Sequence, residues 1–179
     1  MTRSSVILIT GVMASGKSTV ARMLAERLPK AAYIPGDVFR RMMVSGREDP
    51  SPHGTPEALS QLRLRYRASA AVADEYASDG WTAVVQDVVL GGELAEYAAL
   101  VRTRPLYVVV LAPSAQVVAR RERERPKSGY GAWTVEDLDR ILREDTPALG
   151  LWIDTSDQTP EETVQAVLAD LDKARCPHP

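Results

Sequence analysis

The stretch "ITGVMASGKSTVARML", residues 9–24, decides the reading of the chain. Inside it, Gly11-Val12-Met13-Ala14-Ser15-Gly16-Lys17-Ser18 fits the pattern G-x-x-x-x-G-K-[ST]. An aliphatic, β-branched run, Val6 to Thr10, comes before it and predicts a buried strand. After it, Val20, Met23, Leu24 and Leu28 recur at helical spacing, which predicts a helix over Lys17–Leu28, stopped by Pro29. A strand that ends in this loop and opens a helix is the context in which the pattern binds phosphate. Loop N–H groups and the helix N-terminus converge on phosphate oxygens, and glycines let the backbone come close. Lys17 supplies a point charge and Ser18 a hydroxyl for Mg²⁺. The candidate nucleotide-binding set is Gly11, Ala14, Ser15, Gly16, Lys17 and Ser18, with Thr19 beside them.

The rest of the chain continues the alternation. Strands are predicted at 31–35, 82–86, 106–111 and 150–153. Helices are predicted from about Val38 to near Gly46, over Pro56–Asp79 capped by Thr55, and over Leu94–Leu100. Others follow over Ser114–Glu124 and Thr134–Glu144, and from Thr159, whose capping box uses Glu162. Continuously apolar strands between helices imply an α/β fold with a parallel sheet covered on both faces. No repeat or linker divides residues 1–179, so a single domain is expected. The loops around 46–54 and 125–133 are the segments expected to move independently.

Net charge is −2, which argues against nucleic acid as a bulk partner. The lone cysteine, Cys176, reads as an unpaired thiol on a loose tail, and His53 and His178 carry no metal-ligand spacing. No apolar run is long enough to span a bilayer and no signal-peptide pattern is present, so a cytoplasmic protein with no membrane partner is expected.

The phosphate loop must serve some chemistry. There is no N-K-x-D guanine motif, and a large ring ATPase would need more chain. Small phosphotransferases remain, and they need an acceptor site and a closing lid. Arg120, Arg121, Arg123, Arg125 and Lys127 make the segment after the fourth strand the candidate lid, about 123–133. Arg121 and Arg125 are four apart and share a helix face. Asp37 and Asp87 end the second and third strands, where parallel sheets place their ligands. One suits a base for an acceptor hydroxyl, the other an indirect ligand of magnesium or substrate. Arg63, Arg65 and Arg67 on the long helix read as a solvated face, from which one could reach the substrate site.

With "GD" at 36–37, "VVQDVVLGG" at 84–92 and the arginine-rich segment, the chain resembles the chloramphenicol phosphotransferase-like P-loop kinases. That group is similar to shikimate, gluconate and adenylate kinases. The resemblance implies a three-layer kinase fold with five parallel strands in order 2-3-1-4-5 and an arginine-rich lid. It implies ATP as donor, Mg²⁺ as cofactor and a small hydroxylated acceptor, such as an antibiotic or another natural product. It puts Asp37 in the place of the catalytic base and Arg120 and its neighbours among lid and adenine contacts. Lys17, Asp37, Arg120 and Arg125 are then the expected catalytic residues, Arg120 and Arg121 join the nucleotide set, and Ser18 and Asp87 serve the metal. A nucleoside or nucleotide kinase, using Arg40, Arg41 and Arg63 for a second phosphate, and a regulatory ATPase are the alternative readings. The oligomeric state is left open.

Overall fold

The computed structural model describes residues 4–126 and 130–177. Five strands, β1 (Ser5–Gly11), β2 (Ala31–Pro35), β3 (Thr82–Gln86), β4 (Leu106–Leu111) and β5 (Leu151–Ile153), form one parallel sheet in the order β2-β3-β1-β4-β5. The fold class and strand order expected from the sequence are those observed. Alternation along each strand divides the core in two. Val6 and Leu8 face one layer, built with α3 (Pro56–Ser78) and α4 (Glu93–Leu100). Ile7 and Ile9 face the other, built with α1 (Lys17–Arg27) and α7 (Pro160–Ala169). All four side chains are at most 1% exposed, and each contributes roughly 1.5–3 kcal/mol of burial.

The helix ends follow local chemistry. Thr55 accepts the Ala58 N–H at 3.0 Å and starts α3, with proline in its first turn. Thr159 and Glu162 make the reciprocal capping box of α7. Two predicted helices are shorter than expected. α2 (Asp37–Met42) stops before Met43, which is extended, and the chain beyond it is pinned to α3. Gln61 accepts the Glu48 N–H and donates to the Gly46 carbonyl, both at 2.9 Å. The 46–54 loop is therefore anchored to the long helix. α6 (Val135–Arg140) widens into a π-turn, Ile141–Asp145, where an unbroken helix was expected. Thr146 ends it by donating to the Ile141 carbonyl at 2.8 Å and accepting the Gly91 N–H at 2.7 Å.

The C-terminal segment also departs from expectation. The Cys176 N–H donates to the Leu106 carbonyl at 2.8 Å, and the side chain packs in the core. Burial raises the pKa of its thiol. This is no loose tail, because Arg175 bridges to Tyr107 and fixes the chain beside β4. His178 lies outside the described residues. Among the described residues no helix is long and apolar enough to cross a membrane.

Candidate active site

The carboxyl ends of β1, β2 and β3 open on one cleft of about 890 Å³, with the glycine–lysine loop lining it. The loop backbone is shaped by close approach. Gly11 has φ +147°, and a Cβ there would come within 2.5 Å of the Leu111 carbonyl oxygen. Gly16, at φ +95°, precedes α1 without a side-chain cap, and the first turn carries no acidic residue. Ala14 is left-handed at φ 62°, a conformation that a β-carbon tolerates poorly. The Ser15 hydroxyl is buried and has no partner among the described residues. An open helix N-terminus, an orphaned hydroxyl and a buried cation are the donor set that a phosphate chain would satisfy. These residues fit a nucleotide.

Lys17 donates to the Val12 carbonyl at 2.7 Å and is 7% exposed. Burial first, then the charges of Arg125 and Arg65, lower its pKa to about 7. Ser18 donates to Gln86 Oε1 at 3.4 Å. Gln86 pairs with Ile9 across β1 and β3, so the sheet register carries it to the mouth of the loop. Magnesium would be held through the Ser18 hydroxyl and the nucleotide's own phosphates. Among the described residues no three His, Cys, Asp or Glu side chains group around a metal position.

Asp87 lines the same cleft but is engaged on its α3 side. Its carboxylate accepts from Arg65 Nε at 2.7 Å and from the Val88 N–H at 2.7 Å, and it is fully buried. A Cβ on Gly36 would overlap it. The side chain expected to attend the metal is therefore engaged with α3, and Gln86 is the residue brought to Ser18. Asp37 opens α2 on the β2 side of the cleft, 46% exposed, with Arg41 at 3.1 Å and Arg40 at 3.6 Å.

On the opposite side, α5 (Ala115–Arg123) brings Arg121 over the loop. It donates to the Ser15 carbonyl at 3.5 Å and to the Thr155 carbonyl at 3.0 Å. Arg125 lines the cleft and pairs with Glu122 at 3.2 Å. Arg120 is not brought there. It lies one residue off that helix face, exposed and outside the cleft lining. Part of the candidate lid segment is docked: Tyr130 donates to the Met13 carbonyl at 2.9 Å and Trp133 to the Pro50 carbonyl at 3.0 Å. Lys127 lies outside the described residues.

Sequence reasoning gave no role to Gln86, held Gly36 only within the "GD" motif and Tyr130 and Trp133 only within the lid segment, and did not single out Arg65 from its set of three arginines. For Arg65 there was a signal. Leu62, Tyr66, Ser69, Ala70 and Ala73 form the inward stripe of α3, and Arg65 falls on it. Arg63 and Arg67, on either side of it, are exposed.

The family model described as "AAA domain" matches residues 6–148. The chain belongs to this AAA-domain family. Within it, the phosphate loop, the two strand-end aspartates and α5 all fall inside the matched span. A UPF0200 protein of Aeropyrum pernix is 33% identical over 135 residues, covering 74% of this chain and 71% of its own. Solved structures share the fold at lower identity. A sugar kinase from Janibacter superposes with a TM-score of 0.71 at 22% identity over 96% of both chains. The APS kinase of Mycobacterium tuberculosis, in complex with AMPPNP and APS, gives 0.68 at 22% identity over 95% of this chain and 98% of its own. A tunicamycin resistance protein of Deinococcus radiodurans gives 0.68 at 20% identity over 98% and 100%. None of these is a chloramphenicol phosphotransferase, so that finer kinship is not established.

Proposed function

We propose that the protein is a kinase that moves the γ-phosphate of ATP to a hydroxyl of a small molecule. The observation that carries this reading is the composite cleft. One side is an uncapped helix N-terminus with an orphaned Ser15 hydroxyl and buried Lys17. The other side, between α2 and α3, offers a second compartment with an accessible carboxylate, Asp37. Sugar and APS kinases of the same fold support the assignment.

In this reading the acceptor oxygen attacks the γ-phosphorus while the bond to the bridging oxygen of ADP breaks. Asp37 takes the proton of the attacking hydroxyl, worth roughly 10²–10⁴-fold in rate. Lys17 holds β- and γ-phosphate oxygens where negative charge grows. Magnesium held at Ser18 would neutralise phosphate charge. Arg121 and Arg125, reaching over the loop from the α5 side, close on the phosphates. The docked Tyr130 and Trp133 exclude water, which would otherwise compete as acceptor. Asp87, held by Arg65, does not serve as the base. The kinship with chloramphenicol phosphotransferase-like kinases belongs to this proposal and rests on "DVVLGG" at 87–92. The chemistry suits the cytoplasm, where ATP is available.

ADP release measured with ATP and magnesium against alcohols, sugars, nucleosides and natural products tests the reading. A kinase shows strong stimulation by at least one hydroxyl compound. Basal hydrolysis that no acceptor changes would instead mark a regulatory ATPase.

A further inference from the structure

Asp87 lies at a junction of the cleft. The residue before it, Gln86, accepts the Ser18 hydroxyl at 3.4 Å and, through its carbonyl, the Gly36 N–H at 2.9 Å. Gly36 in turn presses against the Asp87 carboxylate, which a Cβ there would overlap, and Asp37 follows directly. A group held by this carboxylate is therefore set between the serine of the glycine–lysine loop and the carboxylate read above as the base. That group is Arg65. Its Nε donates to Oδ2 at 2.7 Å and its Nη2 meets Oδ1, so both carboxylate oxygens grip one edge of the guanidinium.

The grip fixes a direction. Arg65 comes from α3, has 12% of its side chain exposed and lines the cleft. Among the described residues its Nη1 makes no hydrogen bond, so one edge of the fork is spoken for and the other is open. Its charge is felt along the cleft. With burial and Arg125 it lowers the pKa of Lys17, and the burial that lowers its own is opposed by Tyr66 and Asp37. A buried ion pair adds little to stability, whereas a guanidinium clamped along one edge is a preorganised donor along the other.

We infer that Arg65 is a catalytic residue whose free Nη1 edge donates to an oxygen of the phosphoryl group as it is transferred, and that Asp87 is the positioning residue that aims it. The inference rests on the kinase reading above and adds a residue to it. As the bond from the γ-phosphorus to the bridging oxygen of ADP breaks and the bond to the attacking oxygen forms, negative charge spreads over the non-bridging oxygens. Lys17 meets that charge from the loop, Arg121 and Arg125 from the α5 side, and Arg65 from the α3 side. Arg65 keeps its own protons, and the proton of the attacking hydroxyl goes to Asp37. A contact made mainly in the transition state raises the rate without tightening the binding of ATP.

Water can stand in for the acceptor. Hydrolysis of γ-labelled ATP is followed in a single turnover, with enzyme in excess and magnesium present, beside titration with AMPPNP. Arg65→Met is expected to slow the turnover about 10²–10³-fold and to change AMPPNP affinity less than about threefold. Arg65→Lys keeps the charge and loses the fork, so it should reach no more than about a tenth of the wild-type rate. Asp87→Asn, which loosens the aim, should slow the turnover about tenfold. Since Arg65→Met strands a buried carboxylate, the double variant Arg65→Met/Asp87→Asn is made too. It should unfold near the wild-type midpoint and turn over as slowly as Arg65→Met. A turnover unchanged in Arg65→Met or in the double variant overturns the inference, and so does a loss of AMPPNP affinity as large as the loss of rate. Wild-type protein that binds AMPPNP and turns over no ATP overturns it as well. Failure of the wild-type protein to bind AMPPNP removes the kinase reading itself, and the inference with it, so the two failures are told apart.

Discussion

Replacing Lys17 by Met should stabilise the ligand-free protein while removing its nucleotide site. Lys17 is 7% exposed, and its ammonium donates to the Val12 carbonyl at 2.7 Å. Burial lowers its pKa from the ordinary 10.5 to about 7. That gap corresponds to an upper bound of roughly 4–5 kcal/mol against keeping the charged form in the fold. The sign follows from proton counting. Between about pH 7 and the ordinary lysine value the unfolded chain holds a proton that the folded chain lacks, so wild-type stability rises with pH there. Below about pH 7 both states are protonated and the full penalty is present. Methionine is of similar length and apolar, so it removes the penalty. It also leaves the Val12 carbonyl without that donor, at a cost of about 1 kcal/mol. The expected gain is about 2–4 kcal/mol near pH 6, shrinking steadily toward pH 10. Urea or thermal unfolding of both proteins across that range measures it, with AMPPNP titration alongside. A destabilised Lys17→Met protein near pH 6, or a difference that does not change with pH, would refute the reasoning. Undiminished AMPPNP affinity would refute the role of the lysine.

Three further outcomes are expected. Asp37→Asn keeps the shape of the side chain and loses its basicity, so kcat should fall about 10²–10⁴-fold with nucleotide affinity unchanged. Steady-state kinetics and AMPPNP titration separate the two, and near-normal kcat would remove Asp37 as base. Gly36→Ala drives a β-carbon into the Asp87 carboxylate and should cost about 1–3 kcal/mol in denaturant unfolding. An unchanged midpoint would mean that β2 and Asp87 are not so closely packed. Tyr130→Phe removes the hydrogen bond to the Met13 carbonyl and should speed amide exchange around Tyr130 several-fold. Equal exchange rates would show that this bond does not hold the segment on the loop.

The strands were legible because apolar runs 31–35, 82–86 and 106–111 coincide with β2, β3 and β4, while the strand order came from the family resemblance. The glycine–lysine loop half of the cleft was legible because its residues are consecutive, so their spacing is visible in the chain. The other half is assembled from distant segments. Whether Asp87 faces Ser18 or Arg65 depends on a one-residue alternation at the end of β3, which turns Gln86 to the loop and Asp87 toward α3. The placing of Arg120 turns on a similar step, since one position on α5 separates the face over the loop from the exposed face. Cys176 was misread because nothing local marks a terminal segment that pairs with β4.

The most direct test of the central claim is where the γ-phosphate goes. ATP labelled at the γ-position is incubated with the protein, magnesium and an acceptor that stimulates ADP release, and the label is followed by phosphorus NMR or by chromatography. The account predicts that the label appears on the hydroxyl of the organic acceptor, in step with ADP, and that Lys17→Met abolishes both. Label recovered only as inorganic phosphate, with the acceptor unchanged, would contradict it.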